Sequence, residues 1–202
     1  KYPDHPRAEQ AANLVLDTYQ IVEDYEKLNE VARKFLSNRA LTKNEEFKTI
    51  LAKIVEQSSF KLIAKYEKAK QWEEAGKRYL GFADEFPKSE LADKALANAA
   101  AMFTRASQLD RAIKVRTRLI ENYKDSPLVP DQMFAVASAY EQIVLYKDAA
   151  AWLEKFNDKY AKDPGQKDRA KDALFNASIY RVGTGDTKTG VDASTWTPDY
   201  IT

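Results

Sequence analysis

Apolar residues along this chain recur at i, i+3, i+4 and i+7, and no run alternates in the two-residue rhythm of a half-buried strand. Phe47, Ile50, Leu51, Ile54, Val55 and Phe60 to Ile63 keep helical spacing without a break, behind a capping-box string, Thr42-Lys43-Asn44-Glu45. They predict a long helix from about Asn44 towards Lys70. Breakers are sparse: prolines stand at 3, 6, 87, 127, 130, 164 and 198, and the first glycine is Gly76. Ser126-Pro127 and Asp163-Pro164 each place a capping side chain before a proline suited to a first helical position, so two helices should start there. Alanine is abundant, as in helices that approach closely through small side chains.

The segments repeat. Phe86, Tyr123 and Tyr160 are each 37 residues apart, and the same step carries Trp72 to Leu109 to Tyr146, Ala75 to Ala112 to Ala149, and Phe82 to Leu119 to Phe156. A second aromatic column runs Tyr19, Tyr66, Phe103, Tyr140 and Tyr180, with steps of 47, 37, 37 and 40 residues. The longer first step predicts an insertion of about three turns in the helix after Thr42, and the last places three extra residues in 164–169. A two-helix unit of this length cannot bury its apolar face alone, so units stack into an all-α solenoid with a continuous core. The array is expected over residues 1–182. Its opening, Lys1 to Pro6, reads as the close of an earlier repeat, which predicts a fragment with an upstream repeat missing. Residues 183–202 lack helical period and read as a non-helical tail, in which Trp196 and Tyr200 need an apolar place to lie.

The columns resemble the tetratricopeptide repeat (TPR). Ala75 is followed by Tyr79, Phe82 and Pro87 at that family's second-helix spacing, and Leu96, Ala99, Ala100 and Phe103 stand where its first helix has large, large, small and aromatic residues. Departures are Ala100, Ala137 and Ala177 in place of glycine, Ile63 at that position in an earlier unit, and Arg116 where an aromatic is expected. The resemblance implies a right-handed α-solenoid of stacked antiparallel helix pairs, about four to five repeats. The closing strings Tyr2-Pro3-Asp4-His5-Pro6, Phe86-Pro87-Lys88-Ser89 and Tyr123-Lys124-Asp125-Ser126-Pro127 are similar to turns of bacterial cell-envelope repeat proteins, the outer-membrane-assembly lipoprotein BamD and the Tol–Pal coordinators. That likeness implies a periplasmic scaffold; an intracellular adaptor or co-chaperone binding an acidic C-terminal tail is the alternative.

Composition narrows the chemistry. The 202 residues include 32 Lys+Arg, 31 Asp+Glu, one His and no Cys. No thiol nucleophile, disulfide or cysteine zinc site is available, a lone histidine cannot complete a two-histidine metal site, and neutrality argues against a nucleic-acid partner. No stretch reaches the roughly 20 apolar residues of a membrane span. A lipid anchor is conceivable only in an unseen N-terminal part. No cofactor, metal or catalytic residue is expected. Ser58-Ser59-Phe60-Lys61 with Lys188-Thr189-Gly190 matches two pieces of the penicillin-recognising motifs, but the Ser-Asp-Asn element is missing. Gly183 to Gly190 lacks the ending of a phosphate loop. His5 reads as a solvated turn residue, and Glu45-Glu46 and Glu73-Glu74 as solvated faces with i,i+4 pairing. The aromatic columns read as core.

A protein or peptide partner remains. In TPR arrays the first-helix residues off the core columns line a concave groove, and carried onto this chain they are Phe60, Lys61, Lys68, Asn98, Arg105, Phe134, Ser138, Glu141, Phe175 and Arg181. Rings among cations suit a peptide or helical segment: the rings anchor, and the cations meet acidic groups or a terminal carboxylate.

Overall fold

A computed structural model describes residue 5 and residues 7–186. In chain order the helices are α1 (Ala8–Ile21), α2 (Tyr25–Leu36), a 3-10 turn at Leu41–Lys43, α3 (Glu45–Leu62), α4 (Ala64–Lys68), α5 (Trp72–Glu85), α6 (Ala92–Arg105), α7 (Leu109–Asn122), α8 (Val129–Gln142), α9 (Tyr146–Tyr160) and α10 (Lys167–Gly183). Among the described residues there is no strand, and the fold class is the all-α one of paired helical repeats. The chain forms two compact units, residues 1–95 and 96–202, with the division inside α6. Trp196, Tyr200 and the Lys188-Thr189-Gly190 string lie outside the described residues.

Two recurring turns explain the sequence columns. Within a hairpin, the first helix ends on a residue in the left-handed region: Glu23 at φ 55°, Lys70 at 55°, Ser107 at 58° and Val144 at 63°. The next amide then donates back to the aromatic column. Asp24 N reaches Tyr19 O at 3.0 Å, Gln71 N reaches Tyr66 O at 2.9 Å, Gln108 N reaches Phe103 O at 2.8 Å and Leu145 N reaches Tyr140 O at 2.9 Å. This is the Schellman closure, which satisfies carbonyls the helix end leaves unpaired. α10 closes the same way one residue late: Gly185 takes φ 79° and Asp186 N donates to Arg181 O at 2.8 Å. Tyr180 therefore sits one place off the closing position its column predicts.

Between hairpins a second turn recurs. Ser89, Ser126 and Asp163 each accept, on the side-chain oxygen, the amide two residues on (2.9, 3.2 and 2.8 Å). On the carbonyl oxygen each accepts the amide three residues on (3.1, 3.1 and 3.0 Å). His5 does the same with a different atom, its Nδ1 accepting from Arg7 N at 3.1 Å and its carbonyl from Ala8 N at 2.8 Å. The exposed histidine is thus a turn residue like the three others. The predicted start at Ser126-Pro127 needs correction: the serine caps a separate tight turn, and regular α8 follows from Val129 with Pro130 in its first turn. Asp163 likewise caps a turn ahead of α10.

In residues 1–95 the long helix forms from Glu45, but its cap is Asn44, whose Oδ1 accepts from Glu46 N at 3.0 Å and Phe47 N at 3.4 Å. Thr42 belongs to the 3-10 turn and donates to Asn38 O at 3.0 Å, so the capping box is not the device used. At buried Ile63 the helix tightens to i to i+3 bonding, which divides α3 from α4. The extra turns of α3 are buried: Phe47, Leu51 and Val55 join Ala12 and Leu16 of α1 and Leu28 and Ala32 of α2 in one core. Each such large side chain taken from water is worth about 1.5–3 kcal/mol. A polar tie crosses the same helices. Asn29 of α2 donates to Val55 O (2.9 Å), Ser58 Oγ (2.8 Å) and Ser59 Oγ (2.8 Å) of α3, and is held by Arg33 Nε on its Oδ1 at 2.9 Å.

In residues 96–202, Ala112, Ala149, Leu119 and Phe156 are fully buried, so the small and large columns at the 37-residue step are packing positions. Val136 and Ala139 of α8 close on Ile113 of α7, with Trp152 of α9 against them. Arg116 occupies a core column whose counterparts are Tyr79 and Leu153, and only 8% of it is exposed. Its NH1 donates to Thr104 Oγ1 at 3.2 Å, its Nε has no partner, and burial lowers its pKa from the ordinary arginine value.

Candidate functional site

Three of the expected binding residues converge in residues 1–95. Phe60 and Lys61 from the end of α3 and Lys68 from α4 line one depression of about 570 Å³, together with Tyr25, Lys65 and Tyr79. The floor is aromatic. Phe60 lies 5.3 Å from the Tyr79 ring at 59° and 5.2 Å from Phe82 at 78°, tilted and edge-on arrangements that aromatic pairs prefer. Tyr79 is held by donating its hydroxyl to the Glu67 carboxylate. Phe60 is thus half-buried, with one edge committed to packing.

The rim is charged. The Lys61 ammonium lies 4.5 Å from the centre of the Tyr25 ring and donates to its hydroxyl at 2.9 Å. Lys65 pairs with Glu26 at 3.5 Å, an exposed contact worth little by itself. Among the described residues no carboxylate pairs with Lys61 or Lys68. Glu23, Asp24 and Glu26 border the same depression, so its field is mixed, with the lysines on the α3–α4 side and the acids on the turn into α2 and the first turn of that helix.

The remaining expected residues are spread over α6, α8 and α10. Asn98 is half-buried and Arg105 exposed on α6; Ser138 and Glu141 are exposed on α8; Phe175 is 46% exposed on α10. Phe134 packs 4.4 Å from the Phe156 ring, and the Arg169 guanidinium lies 4.7 Å over it while pairing with Asp131 at 2.9 Å. Arg181 is engaged as well. It donates to both oxygens of Glu154 at 2.8 and 2.7 Å with 16% of its side chain exposed, and the Glu154 bond is the main cause raising its pKa. That bidentate pair joins α10 to α9. Glu141 takes the Tyr180 hydroxyl. Burial first, then this bond and the Glu141 charge, push the Tyr180 pKa up to about 12, while its ring lies 5.4 Å from Tyr146.

Tyr25 and Lys65 were not foreseen as site residues. Tyr25 was within reach of the repeat: it is the first residue of a second helix, 47 residues before Trp72, in the column that continues to Leu109 and Tyr146. Lys65 carries no such signal, because one charged residue on a charged helix looks like its neighbours. Among the described residues no group of acidic or histidine side chains is placed to hold a metal ion, and no helix is long and apolar enough to cross a membrane.

The arrangement is that of TPR-like helical repeats. Two crystal structures of the nearly identical TPR-like repeats of a kinesin-light-chain-like protein from Podosopora anserina each superpose with a TM-score of 0.51 at 14% identity. They cover 96% and 95% of this chain and 93% and 94% of theirs. The crystal structure of MamA gives a TM-score of 0.48 at 12% identity, over 95% of this chain and 90% of that one. No family model and no curated protein sequence matches the chain. At this identity the likeness establishes the fold class alone.

Proposed function

We propose that this chain is a non-enzymatic scaffold that binds a peptide or helical segment of another protein, and that the depression bordered by Phe60, Lys61 and Lys68 is part of the binding surface. The observation that carries this reading is the convergence of those residues with Tyr25 on one depression in which Lys61 and Lys68 lack a carboxylate partner. An aromatic floor gives a desolvated anchor, and a cation beside it selects an acidic or carboxylate-bearing segment. Exposed residues of α8 and α10, within residues 96–202, offer further weak contacts of their own.

The setting we propose is a bacterial cell-envelope complex in the periplasm. Support comes from the likeness of the Tyr2-Pro3-Asp4-His5-Pro6 and Tyr123 to Pro127 strings to envelope repeat turns. The test is a pull-down from envelope and soluble fractions with wild type and the Lys61→Glu/Lys68→Glu variant. Envelope proteins captured by wild type and lost with the variant support both parts of the reading. Soluble chaperones captured instead favour an intracellular adaptor, and capture that ignores the double substitution removes this depression from the binding surface.

A further inference from the structure

We propose that a second surface in residues 1–95, the cleft between α1 and the end of α2, docks an amphipathic helix with acidic flanks supplied by another protein. The cleft has a volume of about 780 Å³; Ala11, Ala12 and Val15 of α1 form its floor with Phe35 and Leu41. Its rim carries Arg7 and Lys34, and among the described residues no carboxylate lines it. Neither cation has an ion-pair partner among the described residues.

The repeat states what shape belongs there. Val15 occupies the position that Val136 holds in α8, by the same steps that relate Tyr19 to Tyr140. Val136 is fully buried against Ile113 of α7, the second helix of the preceding hairpin. Val15 is 40% exposed, and its neighbour Leu14 is 68% exposed. Among the described residues, then, no helix covers on α1 the face that α7 covers on α8. Alanines at 8, 11 and 12 let another backbone approach to the 8–10 Å typical of packed helices. Two unpaired cations beside an apolar floor select the charge of the visitor: carboxylates flanking its apolar stripe, which also discriminate against a basic helix. This surface is independent of the Phe60–Lys61–Lys68 depression and stands or falls separately.

The test uses two stapled 15-residue peptides with the same leucine and alanine stripe, one flanked by glutamates and the other by lysines, read by fluorescence anisotropy. The acidic peptide should bind the whole chain, more weakly as salt is raised, and the basic one should bind at least tenfold more weakly. Val15→Glu and, separately, Arg7→Glu/Lys34→Glu should each weaken the acidic peptide at least tenfold while circular dichroism and melting stay unchanged. Equal binding of both peptides, or indifference to the substitutions, overturns the proposal. So does self-association in sedimentation that Val15→Glu abolishes, since a second copy is then the occupant. A tenfold gain in peptide affinity on deleting residues 1–4 also overturns it, because the chain then covers its own cleft.

Discussion

Val144 gives the most direct check on the hairpin geometry. It is a β-branched residue at φ 63°, in the left-handed region, where an L-residue costs roughly 1–2 kcal/mol and only glycine is unpenalised. Its side chain is 66% exposed, so little packing compensates. Val144→Gly removes the strain but frees the unfolded chain by about 0.4–1 kcal/mol. Val144→Ala removes the same side chain and keeps the strain, so the packing contribution cancels between the two variants. The glycine variant should then be the more stable by about 1 kcal/mol, read as a difference in urea-unfolding free energy at equal slope. Lys155, exposed in the interior of α9, provides the inverted control: there alanine should exceed glycine by about 0.8–1 kcal/mol. If Val144→Ala equals or exceeds Val144→Gly, the left-handed closure between α8 and α9 is wrong.

Three further outcomes are expected. Arg116→Met keeps the buried stem and removes a guanidinium whose Nε is unpaired, while Thr104 still donates to Ala100 O at 2.9 Å; urea unfolding should show a gain of about 1–3 kcal/mol, and a loss shows the cation to be net stabilising. Tyr180 has its pKa raised from 10.0 to about 12, so the fold favours the protonated hydroxyl, and that contribution is present below pH 10 and disappears between pH 10 and 12. The stability difference between wild type and Tyr180→Phe should accordingly shrink across that window, with one fewer tyrosine ionising in the variant by ultraviolet titration; parallel pH curves refute the assignment. Ala149→Trp places a large ring at a fully buried interhelix position and should destabilise by roughly 1–3 kcal/mol, so an unchanged melting temperature contradicts the repeat register.

The repeat was legible because identical packing positions recur: Ala75, Ala112 and Ala149 are all fully buried, and Tyr19, Tyr66, Phe103 and Tyr140 accept the closing hydrogen bond. The closing turns themselves were hidden, since Glu23, Lys70, Ser107 and Val144 stand where glycine usually announces a left-handed end. The cap of α3 escapes local reading for a related reason. Asn44 and Thr42 are both good capping residues, and which one serves depends on the 3-10 turn between α2 and α3, which local spacing does not reveal. At the candidate site, Phe60, Lys61 and Lys68 were found as first-helix residues, whereas Tyr25 arrives from the preceding hairpin. Arg181 looked like an available cation because its partner, Glu154, lies 27 residues away on another helix.

The added length of α3 changes how the array comes apart. In an array of similar hairpins each interface joins nearest neighbours, and ends can fray one repeat at a time. Here Phe47 and Leu51, carried by the additional turns, share a single core with α1 and α2, and Asn29 fastens α2 to the middle of the same helix. Exposing any one of these helices strips the other two, which makes α1, α2 and α3 one cooperative unit of opening. Their slowest-exchanging amides should report a common free energy, so these three helices behave as one clamp.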